Sequence, residues 1–472
     1  MKYSKNWSLI IVGIIAIIGI TTLIFNNYEF QTFSGHATRS FFKCGDGICQ
    51  LWESPTSCFK DCGRSDRDGD GVCDLLDKCK GYDDTIDTDS DSIPDRCDIC
   101  AGYDDSIDTD GDDVPDGCDA CAGYDDTIDN DANAIPDYCQ DMVYIGSVDN
   151  YLYALDKVTG NLVWRFKTGS YILSSPIVEN NIVYFGSDDG NIYAIDAVVG
   201  NKIWQYTTGG YVASSPTIVG STLYIGSMDG YLYALDTATG TLIWKYDTEG
   251  GVDSTPTINS NIVYFGSYTD MSSVSEPNGM LNSVDAATGI LIWQYPMGEV
   301  SSSPTVANGI VYVGSEEYDD AVYAIDAASG TLVWRFQAGN SIVWSSPIIE
   351  NNIVYIGSWD GNIYAFDAMT GKKIWEYYIG VTESSPAIGG DTVYIGNEHN
   401  SIYALSTLTG KLQWVYNPRG DVSSTPTYED GVIYFGAEDY YVYALDAITG
   451  RLIWKSLLGG DVVHSSPYVM IK

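Results

Sequence analysis

Histidine is scarce in this chain, with three in 472 residues, and 23 lysines and arginines face 64 aspartates and glutamates for a formal charge of −41. A surface of that sign repels phosphate backbones and anionic lipid, which argues against nucleic-acid binding. All eleven cysteines lie between residues 44 and 139, so cysteine chemistry is local to one segment. There is no Gly-x-Ser-x-Gly elbow, and nucleophilic catalysis finds no constellation in the cysteine-free larger part of the chain. Only one long apolar run exists, Ser8 to Phe25.

Past residue 142 the chain is one unit written eight times. ALDKVTGNLVW at 154–164 returns as AIDAVVGNKIW, ALDTATGTLIW, SVDAATGILIW, AIDAASGTLVW, AFDAMTGKKIW, ALSTLTGKLQW and ALDAITGRLIW, ending at Trp164, Trp204, Trp244, Trp293, Trp334, Trp375, Trp414 and Trp454. The apolar run before each turn reads as a strand packed on both faces. Asp-x-x-Thr-Gly supplies a side chain that can bond its own turn and a residue free to take positive φ, so the chain reverses into the tryptophan strand. Before each hairpin lies a Tyr-x-Gly strand, its glycine at Gly146, Gly186, Gly226, Gly266, Gly314, Gly357, Gly396 and Gly436. After it comes a Ser/Thr-Pro strand with Pro176, Pro216, Pro256, Pro304, Pro347, Pro386, Pro426 and Pro467. Proline donates no backbone hydrogen bond, so this strand is expected at a sheet edge, the innermost one of a radially stacked blade.

Four strands repeating about every 40 residues predict a β-propeller, because such a unit buries its faces only against neighbours. Eight copies predict eight blades at 142–472. The first copy begins at its Tyr-x-Gly strand and the last residues, SSPYVMI at 465–471, are a lone Ser-Pro strand. The C-terminal strand is therefore expected to complete the first blade.

Residues 1–25 carry Lys2 and Lys5 and then the apolar run, just long enough to cross a bilayer, with no small-x-small cleavage site at NNYEFQ. They read as an N-terminal transmembrane helix with the lysines inside and the remainder extracytoplasmic; a cleaved signal peptide is the rival, and either exports the chain. A tether covers 26–43. Cys44, Cys49, Cys58 and Cys62 then mark a module at 44–62 too short for a core, read as two disulfides, with zinc as the alternative.

The segment 63–141 carries the clearest chemistry. DRDGDGVCDLLD places Asp66, Asp68, Asp70, Asp74 and Asp77 at loop positions 1, 3, 5, 9 and 12, with Gly71 for the sharp turn and the Val72 carbonyl at position 7. That oxygen spacing suits calcium. It recurs as Asp87, Asp89, Asp91, Asp95 and Asp98, as Asp108, Asp110, Asp112, Asp116 and Asp119, and as Asp129, Asp131, Asn133 and Asp137, where Gln140 replaces the twelfth acid and weakens the site. Cys79, Cys100 and Cys121 precede Cys97, Cys118 and Cys139 by a constant interval, suggesting three bridges, and Cys73 is left odd. The run resembles thrombospondin type 3 repeats, which implies a semi-rigid, calcium-binding, disulfide-linked stalk.

The repeated ALDxxTGxxxW resembles the docking motif of pyrroloquinoline-quinone-type propellers. By that likeness each outer tryptophan packs on the neighbouring blade. Family members include quinoprotein alcohol and sugar dehydrogenases and a non-enzymatic lipoprotein of the outer-membrane assembly machinery. In the alcohol dehydrogenases a cysteine pair covers the quinone, and this propeller has no cysteine. Lys167, Arg419 and His464 are the candidates for gripping an anionic quinone, with ordinary solvated turn residues as the favoured reading, and His399 is expected to be exposed. Pyrroloquinoline quinone is therefore not expected, and calcium is.

Turns between second and third strands, and those leading from a tryptophan strand to the next proline strand, are expected on one face. Only there does length vary: MSSVSEPNG is inserted before Trp293, and EEYDD is lengthened before Trp334. That face carries Asp188, Asp189, Asp229, Asp270, Glu316, Glu317, Asp319, Asp320, Asp360, Glu398, Glu438 and Asp439. Much of this is turn chemistry, yet loops on a rigid scaffold are where binding sits. The reading is a membrane-anchored, calcium-stiffened stalk presenting a non-catalytic propeller to a protein or surface-polymer partner, basic or cationic. A quinone-dependent dehydrogenase is the alternative.

Overall fold

The computed structural model describes residues 140–268, 279–316, 319–462 and 464–471. The anchor, tether, cysteine-rich module and every expected calcium ligand from Asp66 to Asp137 lie outside these residues, as do Asp270 and Glu317. Among the described residues, thirty-two strands form eight antiparallel four-stranded sheets, an all-β eight-bladed propeller. No described helix is long and apolar enough to cross a membrane.

The second blade shows the plan: Ile177–Glu179 innermost, then Ile182–Ser187, Asn191–Asp196 and the outer Lys202–Thr207, paired in that order. The middle strands are buried on both faces because a blade covers each side, which is why they read as continuous apolar runs. Asp156 Oδ1 accepts the Thr159 backbone N–H at 2.6 Å, and Gly160 follows at φ +73°. The sequence places the turn at that Asp-x-x-Thr-Gly for this reason.

In each blade the pairing of third and outer strands slips by one residue; Ala154 faces Trp164 while Leu155 faces Leu162. The bulge precedes the tryptophan, whose ring docks on the next blade. Trp164 Nε1 donates to Ala197 O at 3.0 Å and its ring covers Gly200, where an added Cβ would come within 2.8 Å. All eight tryptophans repeat the bond at 2.8–3.0 Å, the last closing the ring from Trp454 to Lys157 O. In seven junctions the tyrosine of the second strand gives its hydroxyl to the same carbonyl, as Tyr144 does to Ala197 O at 2.9 Å.

Closure follows the expected route. Tyr468–Met470 pairs antiparallel with Met142–Gly146, with Tyr144 opposite Tyr468 and Met142 opposite Met470. The proline reading is refined: each proline stands just ahead of an inner strand only three residues long, such as Ile177–Glu179. Serines before the proline tie the inner strand to its neighbours. Ser174 Oγ accepts the Gly186 N–H at 3.0 Å, a bond repeated in all eight blades at 2.8–3.2 Å. The following residue reaches across blades, with Ser175 N donating to Ser215 Oγ and Ser466 N to Ser175 Oγ, both at 2.8 Å. Six junctions carry this bond. At the other two the next blade has Thr255 or Thr425, and Ser214 and Ser384 instead donate their hydroxyls to Ser254 O and Ser424 O at 2.9 Å.

Candidate functional site

The two sets of turns expected on one face do meet there. Asp188 N donates to Tyr171 O and Glu398 N to Val381 O, both at 2.9 Å. The glycine closing each second strand permits this: a Cβ on Gly186 would come within 2.4 Å of Val212 Cγ1 in the adjoining loop. Close approach, rather than turn geometry, is what Tyr-x-Gly encodes.

The acids of this face fall into two groups. Asp189, Asp229, Asp360 and Asp439 are turn residues; Asp189 Oδ2 accepts from Tyr193 Oη and from Gly169 N, each at 2.7 Å. Asp319 accepts from Tyr323 and pairs with Arg335, and Asp320 accepts from Ser341 Oγ at 2.7 Å. These side chains are committed to the fold.

The second group lies deeper. Burial, then the neighbouring Asp189, pushes Asp188 up to about 6. Burial pushes Glu398 up to about 7, with Glu383, Glu438 and Asp421 adding to it. Glu383 and Glu438 are raised by burial and by further carboxylates, and the hydroxyl of Ser423 donates to Glu438 at 2.8 Å. Across the ring Asp253, 8 % exposed, is pushed up to about 7 by burial, with Glu299 contributing. Asp253, Glu299, Glu383, Asp421 and Asp461 were not singled out from sequence, because the acids read there were those of the turns between second and third strands, and these five lie in the loops entering a blade.

A Trp–His pair stands among these acids. From the apolar residue of the adjoining loop to its proline the interval is four residues at Val212–Pro216 but five at Ile342–Pro347 and Val462–Pro467. The two longer loops carry Trp344 and His464, at φ +58° and +60°, a left-handed conformation unusual for such bulky residues. Trp344 precedes the sixth blade and His464 completes the first, yet their rings stack at 4.5 Å and 19°. The pair thus spans three blade junctions across the inner end of this face. His464 Nε2 lies 3.6 Å from Glu383 Oε2, and its Nδ1 is buried without a partner. Burial holds the imidazole neutral down to about 4, so at neutral pH the approach to Glu383 is not an ion pair. The one-residue lengthening was the signal in the sequence.

The remaining candidates are dispersed. Lys167 ends an outer strand, 5.8 Å from the Tyr151 ring centroid. Arg419 is exposed, its backbone N–H bonded to Asp439 Oδ2 at 3.0 Å. His399 is exposed, as expected.

A family model described as outer membrane protein assembly factor BamB matches residues 126–276, 207–295, 269–384 and 361–471. The chain belongs to this BamB family. Solved structures share the fold. BamB from Moraxella catarrhalis is 21% identical over 61% of this chain and 87% of its own, with a TM-score of 0.52. The computationally designed Ika8 is 18% identical over 62% of this chain and 89% of its own, at 0.54. Quinohemoprotein alcohol dehydrogenase from Comamonas testosteroni is 16% identical over 62% of this chain and 68% of its own, at 0.54. No curated protein matches the chain.

The dehydrogenase likeness raises the question of a quinone. Pyrroloquinoline quinone is a carboxylated anion, and the inner end of the loop face does not fit it. Glu383, Glu398 and Glu438 are raised by burial and then by neighbouring carboxylates, with no cation offsetting them. The described residues brought together there include no lysine or arginine, and the one imidazole is neutral and stacked.

Proposed function

We propose that the chain is a non-catalytic binding or assembly scaffold whose BamB-type propeller meets a basic protein partner through the face bearing the acidic loops. The observation that carries this is the acidic inner end of that face, crossed by the Trp344–His464 stack. A cationic surface would relieve the mutual repulsion of Glu383, Glu398 and Glu438, which an anionic cofactor would worsen. On this reading residues 8–25 hold the chain in a membrane, the loops from Asp66 to Asp137 bind calcium and stiffen the stalk, and the propeller stands outside the cell. Membership of a family described as an outer membrane assembly factor supports the scaffold. The quinoprotein alternative has only the shared fold in its favour.

Photo-crosslinking on intact cells tests this. A photoreactive residue at Tyr211, on the acidic loop face, should trap a discrete protein partner, and one at Thr239, in the turn opposite, should not. Adducts at both sites alike, or at neither, would contradict the proposal.

A further inference from the structure

On the loop face the same backbone position carries a side chain in seven repeats, Tyr171, Tyr211, Glu299, Ser341, Val381, Asp421 and Asp461, and none in the eighth. The loops entering the second and third blades read Gly-Ser-Tyr-Ile and Gly-Gly-Tyr-Val, with Tyr171 and Tyr211 standing 51% and 63% exposed. The loop entering the fourth reads Glu-Gly-Gly-Val, so Gly251 stands where its two predecessors carry a tyrosine. The backbone position is the same: Tyr211 O accepts from Met228 N at 2.9 Å and Gly251 O from Tyr268 N at 3.1 Å. Only the side chain is gone.

What remains is a cavity of about 560 Å³. Gly250 and Gly251 border it, Met228 and Tyr268 form its apolar wall, and Asp247 and Glu249 stand at its rim. Glu249 takes φ +59°, and its N–H is held by Asp247 Oδ1 at 3.0 Å. Asp229, which also lines the cavity, is occupied by Tyr233 at 2.6 Å. Lys245 Nζ sits 3.5 Å from the centroid of Tyr231 and covers that ring. The wall facing inward is Tyr268. Its hydroxyl donates to Met228 Sδ at 3.3 Å, and beside it stands Asp253, a carboxylate only 8 % exposed whose Oδ1 has no partner. The cavity therefore has an aromatic wall backed by a buried, incompletely satisfied acid, and a rim of carboxylates.

We propose that this cavity receives a cationic side chain, arginine or lysine, from a basic partner polypeptide. The proposal rests on the scaffold reading above and gives that face its anchoring point. A guanidinium stacks on a tyrosine face and pairs with carboxylates at the same time, which an anion or a neutral sugar does not do. An anchor residue in a pocket is also where interface energy concentrates.

The test uses the full chain at physiological salt and a short arginine peptide bearing a diazirine, with the citrulline peptide as its neutral isostere. Adducts are mapped by mass spectrometry. The cavity predicts labelling concentrated on Met228–Tyr231 and Asp247–Gly251, reduced about tenfold with citrulline. Gly251→Tyr should abolish it, since the new side chain takes up space that Gly251 leaves at the cavity's border. The nearest obstruction to a Cβ there is the flexible end of Met228, at 2.9 Å. Asp247→Asn with Glu249→Gln, which changes no volume, should weaken the labelling as well, and unaltered melting of both variants establishes folding. Equal labelling by the citrulline peptide, unchanged labelling of Gly251→Tyr, or adducts gathered instead near Glu383 and Glu438 would overturn the cavity. The last outcome would leave the scaffold reading standing, and that reading fails separately if the chain retains quinone.

Discussion

The blade junction makes a quantitative prediction, because one buried carbonyl takes two donors. Ala368 O receives Trp334 Nε1 at 2.8 Å and Tyr312 Oη at 3.0 Å, and Ala368 is fully buried. Removing one donor leaves the carbonyl satisfied. Tyr312→Phe should therefore cost about 1 kcal/mol, the net worth of a hydrogen bond. Trp334→Phe should cost about 1–2 kcal/mol, since it also removes ring atoms beside Gly371. The double variant orphans the carbonyl, which adds a desolvation penalty of about 1–3 kcal/mol. The two changes should be more than additive, with a coupling of about 1–2 kcal/mol read from urea midpoints at constant slope. A double variant equal to the sum of the singles within about 0.5 kcal/mol would refute the shared-acceptor account of blade docking.

Other consequences can be measured in parallel. Deleting 464–472 removes the pairing of Tyr468–Met470 with the first blade and the hydroxyls of Ser465 and Ser466; cooperative unfolding should be lost, and a truncated chain melting like the parent would contradict closure. Asp253 and Glu398 are pushed up to about 7, so the folded chain holds protons that the unfolded chain releases, and stability should fall as pH rises through that value. His464, neutral down to about 4, opposes this only below the unfolded imidazole value of about 6.5. Above it the carboxylates act alone. The urea midpoint should thus be lower at pH about 8 than at about 6.5, and Asp253→Asn should flatten the slope; an unchanged slope would refute the assignment. Chelation of calcium should alter the dimensions of the full chain in solution scattering while the propeller's melting holds, and identical scattering with and without EGTA would refute the calcium-stiffened stalk.

Much of the fold was legible because the same local physics is written eight times. The Asp156 turn, the glycine under each tryptophan and the closing strand each follow from a residue type whose requirement is local or strictly periodic. The serines before each proline were read only as an edge, although they tie each inner strand to its own blade and the next. The inner acids were less legible for a different reason. Asp188 and Asp189 are neighbours in sequence, yet Asp189 completes a turn and Asp188 is buried beside it, a distinction set by the packing of the adjoining loop. Trp344 and His464 belong to blades that never pair. Their meeting depends on the curvature of the ring, and a single inserted residue in each loop is the only trace of it in the sequence.

The scaffold reading is tested most directly by adding calcium and pyrroloquinoline quinone to residues 28–472, desalting, and recording quinone absorbance together with dye-linked oxidation of alcohols and aldoses. The acidic inner end of the loop face predicts no retained quinone and no turnover. Retained quinone with turnover would contradict it, and would send mutagenesis to His464, Glu383 and Trp344.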